Sequence, residues 1–112
     1  MSVRQASVFA GNLNIGTVAF EFWDDGMGVA GGTFEPSGNY VPREHATELE
    51  GLVQEHSDGK SSLRIVLAGG LPLACEQITL VDWAATAGEK HGREVAAFGV
   101  ELSAIWGADL AR

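Results

Sequence analysis

Basic residues and cysteine are scarce in this chain, and each shortage excludes something. Lysine and arginine together number 7 against 15 aspartates and glutamates, giving a formal net charge of −8 over 112 residues. Nucleic-acid binders carry a basic stripe, because neutralising phosphates releases counterions. Here Arg4, Arg43, Lys60, Arg64, Lys90, Arg93 and Arg112 are scattered, so DNA, RNA and anionic membranes are not the expected partners. An acidic surface serves solubility first and attraction of cationic partners second.

With one cysteine, Cys75, the chain can form no intramolecular disulfide, and a reducing compartment suits it. No apolar run approaches the roughly 18 residues of a membrane helix. Met1 to Gln5 leads into no signal-peptide core. Asn12, Asn14 and Asn39 all lack a Ser or Thr two residues on, so no glycosylation acceptor argues for secretion. The expected location is the cytoplasm. The length suits a single domain over residues 1–112, with no linker, repeat or low-complexity segment to divide it.

What the chain has in quantity is glycine, 15 residues, placed as punctuation between apolar runs. Val18, Phe20 and Phe22 alternate with Ala19, Glu21 and Trp23, the period of a strand with one buried face, and Asp25-Gly26 follows as a hairpin turn. Val3 to Phe9 reads as a strand turning at Gly11-Asn12. The Gly-rich segment after that turn, ending in Thr33-Phe34, and then Ser62 to Ala68, Leu71 to Trp83 and Glu94 to Trp106 read as further strands, bringing the total to about six.

The segment from Arg43 to His56 departs from this rhythm. Ala46, Leu49, Leu52 and Val53 are spaced by three and four, and at about 100° per residue they gather opposite Glu44, Glu48 and Glu55. Pro42 suits the first turn of a helix, and Thr47 with Glu50 offers a capping box. The spacing predicts an amphipathic helix over 43–56, with a strand from Leu49 to His56, paired across Asp58-Gly59, as its rival. The expected architecture is α+β: a mainly antiparallel sheet of hairpins with one helix packed on it. An all-β barrel or sandwich is the alternative.

Motifs of chemistry are sparse. Gly26-Met27-Gly28-Val29-Ala30-Gly31 matches the GxGxxG pattern, but a hairpin precedes it and Gly32, Thr33 and Pro36 oppose a following helix, so no dinucleotide site is expected. His45, His56 and His91 have no metal-site spacing; on a helix His45 and His56 would stand about 16 Å apart. No metal and no cofactor is expected. Cys75 lies in an apolar run without the electropositive setting of a reactive thiol.

Four polar residues lack an obvious structural role, namely His45, Glu48, Asp82 and His91. Asp82 stands out as a carboxylate ending an apolar strand beside Trp83. They are the candidate catalytic or ligand-binding set. Trp23, Trp83 and Trp106, each near a strand end, are the candidate partner-binding set, since aromatic anchors are enriched at binding hot spots. The functional expectation is a small acidic non-enzymatic interaction or accessory protein, bound to a protein partner or self-associating, for instance as a homodimer. The alternative is a small enzyme or small-ligand binder whose polar pocket uses the four polar residues.

Overall fold

A computed structural model describes residues 4–24, 26–53, 63–67, 69–83, 92–101 and 105. It is a β structure almost throughout. Among the described residues the strands are β1 (Arg4–Ala10), β2 (Leu13–Asp24), β3 (Val29–Pro36), β4 (Glu48–Leu49), β5 (Leu52–Val53), β6 (Leu63–Leu67), β7 (Gln77–Asp82) and β8 (Arg93–Phe98), together with one helical turn, α1 (Pro42–His45). They form one eight-stranded sheet in the order β5-β4-β7-β8-β3-β2-β1-β6, curled into a half-barrel. Every pairing is antiparallel except β4 with β7.

This corrects the expectation of an α+β fold with a helix over 43–56. The helix stops after one turn, at Ala46, whose ψ of 140° is extended. Thr47 then docks on β7: its N–H donates to the Leu80 carbonyl at 2.8 Å, and its hydroxyl accepts from the Leu80 N–H at 2.8 Å. Glu50 and Gly51 both take positive φ, 50° and 84°, which a helix cannot accommodate. They form the two-residue loop of a hairpin closed by the Leu49–Leu52 pair. Among the described residues the rival strand from Leu49 is not formed either, since the chain turns at Glu50-Gly51, Leu52 and Val53 pair with β4, and β6 pairs with β1. Residues 54–62, with the proposed turn at Asp58-Gly59, lie outside the described residues.

Two other expectations about the strands change. Leu71 to Trp83 is not one strand, because pairing begins only at Gln77, and Pro72 makes a lone bridge to Val66. The final strand ends at Phe98, where Gly99 takes a φ of 71°.

The inner face of the sheet is closely filled. Val8, Ile15, Val18, Phe20, Phe34, Ile65, Leu80 and Val95 are all fully buried, each contributing roughly 1.5–3 kcal/mol relative to exposure. A bulge in β2 decides what joins them. Phe20 pairs with Gly32 and Phe22 with Gly31, so Glu21 is an extra residue and the alternation flips. Trp23 thereby packs against the core, and Phe22 turns outward, 42% exposed, its ring lying over Gly31. Gly32 faces the bulge: a Cβ there would collide with the Ala19 carbonyl oxygen. Among the described residues, no helix is long and apolar enough to cross a membrane.

Candidate functional site

The end of the half-barrel where β7 finishes and β8 begins gathers most of the buried polar chemistry. Asp82 is the last residue of β7 and lies directly opposite Arg93, the first of β8. Both share the parity of the fully buried Leu80 and Val95, so both point to the inner face. Asp82 is 2% exposed. Its Oδ2 accepts the Tyr40 hydroxyl at 2.6 Å and the Arg93 Nε at 3.2 Å. The Arg93 guanidinium also lies over the Tyr40 ring, 5.6 Å from its centroid.

Tyr40 is brought here by the loop after β3. Ser37 and Asn39 anchor that loop by donating to the Asn14 carbonyl, each at 3.1 Å. The Tyr40 ring then meets Phe34 edge to face at 5.1 Å. Burial, and after it the hydrogen bond to Asp82, raises the ionisation of the Tyr40 hydroxyl well above that of a free phenol, with the Arg93 charge opposing.

His45 flanks the same ring. Its centroid is 5.9 Å from that of Tyr40, and it is buried at the end of α1. The Val41 N–H donates to His45 Nδ1 at 2.9 Å, which assigns the proton of the neutral ring to Nε2. His45 thus caps its own helical turn from within, where Val41 has no side chain able to do so.

Of the four polar candidates, His45 and Asp82 therefore meet around Tyr40. Glu48 does not join them: it pairs with Val81 and Val53, one residue out of phase with Asp82, and so lies on the outer face. His91 lies outside the described residues, as do His56 and Trp106. Trp23 packs on the core, and Trp83 is exposed with its indole against Gly51. Among the described residues no group of three metal-ligating side chains occurs. Cys75 is half-buried beside the core, ahead of β7 rather than within it, and burial pushes its thiol up.

Sequence reasoning missed Tyr40 and Arg93. Arg93 carried a usable signal, because Asp82 and Arg93 flank one polar loop and hairpin register sets them opposite. Tyr40 carried none, since its approach depends on a loop fixed from Asn14.

Chemically, the cluster works as a clamp. One carboxylate oxygen receives two donors, tying the 37–41 loop to the adjoining ends of β7 and β8. A phenol held so strongly protonated is a poor acid. No protein-family model, no curated protein and no solved structure matches the chain.

Proposed function

We propose that this is a non-enzymatic interaction protein, which binds another protein through the β4–β5 side of its sheet. The observation that carries this reading is the terminal strand β5, whose two side chains, Leu52 and Val53, are 70% and 76% exposed. Consecutive strand residues point to opposite faces, so the two leave apolar surface on both sides of this end of the sheet, and contiguous exposed apolar surface is what a protein partner covers. Trp83 supports the same reading: it is exposed on one side and braces the hairpin through Gly51 on the other. Among the described residues the inner face is filled by apolar side chains, and the polar cluster is engaged in holding the fold together.

The test is capture on immobilised protein from extracts of its native source, with Leu52→Ser/Val53→Ser as comparator. Both side chains are already exposed, so the double variant should keep the thermal midpoint of the parent. Retention of a protein by the parent, at near-equal stoichiometry and lost in the variant, is the expected result. Equal retention by both, or none by either, overturns the reading.

A further inference from the structure

Register places a pattern on the outer face that the sequence does not display. Val53 pairs with Glu48, Glu48 with Val81, and Val81 with Glu94. One row across β5, β4, β7 and β8 therefore reads apolar, acidic, apolar, acidic. Val53 and Glu94 are exposed and the two between them are half-buried. Neighbouring strands stand about 4.8 Å apart, so like residues recur at roughly 9.6 Å.

On this basis, and resting on the interaction reading above, we infer that the partner presents a basic amphipathic helix laid across these four strands. A helix advances about 5.4 Å per turn, close to the interstrand step. Positions i, i+4, i+7 and i+11 form one stripe. Apolar residues at i and i+7 meet Val53 and Val81, and lysine or arginine at i+4 and i+11 meets Glu48 and Glu94. A partner strand is disfavoured, because it would pair along the edge of β5 and leave the row on the sheet face uncovered. A second copy of this chain is disfavoured by charge: each carries −8, and a two-fold contact on this row would bring glutamates toward glutamates. The described arginines lie off the row, with Arg93 on the inner face, Arg43 in α1, and Arg4 and Arg64 on β1 and β6.

The probe is a fluorescent 16-residue helical peptide with leucine at i and i+7 and lysine at i+4 and i+11, on a neutral background. Its counterpart carries glutamate in place of lysine. Fluorescence anisotropy should show binding of the lysine peptide alone, weakening as salt rises. Glu48→Gln/Glu94→Gln should weaken it at least fivefold, and Val53→Ser by a similar factor. Glu21→Gln/Glu76→Gln, exposed elsewhere on the molecule, should change nothing. No binding, binding of both peptides, or equal losses from the two glutamine pairs overturns the inference. If these fail while the Leu52/Val53 variant still abolishes capture, the interaction reading stands and the helical occupant falls.

Discussion

Tyr40 is the one tyrosine of the chain, so its titration can be followed without overlap. Its folded ionisation lies above the unfolded value near 10. The neutral hydroxyl is favoured by folding, so its contribution to stability is complete below about pH 10 and is lost as pH rises beyond it. Phenolate absorbance at 295 nm should therefore grow only together with loss of the β-sheet circular dichroism signal. Phenolate appearing near pH 10 with the sheet intact would refute the clamp. Asp82→Ala should be the costlier change, because it leaves Arg93 largely buried without its carboxylate; about 3–5 kcal/mol is expected in urea denaturation. Cys75 makes a milder case. Its raised ionisation predicts slower reaction with a disulfide reagent in the folded chain than in urea at the same neutral pH.

Among the elements, the β4–β5 hairpin shows most clearly where sequence pattern stops informing. Ala46, Leu49, Leu52 and Val53 satisfy helical spacing, but four positions cannot separate a helix from a turn followed by a tight hairpin. The choice is made by Thr47 reaching β7 more than thirty residues away, and by Glu50 and Gly51 at positive φ. Neither appears in a local apolar pattern. The hairpins flanked by Gly11-Asn12 and Asp25-Gly26 were legible because local chemistry suffices there. Even so, the second turn is wider than a two-residue loop, since Asp24 pairs with Val29 and its carboxylate accepts the Met27 N–H at 3.2 Å, while Asp25 lies outside the described residues. The alternating run places Trp23 opposite Phe20, but one bulge residue, invisible in that pattern, inverts everything beyond it. The hairpin gives a paired prediction. Gly51→Ala should lower stability by about 1–2 kcal/mol, through strained φ and contact with the Trp83 ring. Glu50→Gly should raise it or leave it unchanged, because glycine adopts positive φ freely. Thermal melts of the two variants check both signs.

For the whole molecule, charge and topology set the behaviour. A net charge of −8 on one small sheet is self-repelling, so moderate sodium chloride should raise the thermal midpoint by a few degrees, measurable by scanning calorimetry. The sheet edges are both guarded. β5 spans two described residues, and β6 is covered where Leu67 donates to the Leu71 carbonyl at 2.7 Å and Leu73 donates to Ile65 at 2.8 Å, with Pro72 between. The order of the strands has one more consequence, felt during synthesis. β8 is the last strand in sequence yet sits between β3 and β7. A nascent chain lacking residues 93–98 holds β1, β2, β3 and β6 on one side and β4, β5 and β7 on the other, with no strand pairing between them. Both inner edges then wait open on the ribosome until β8 emerges, which makes those moments the chain's greatest exposure to misassembly.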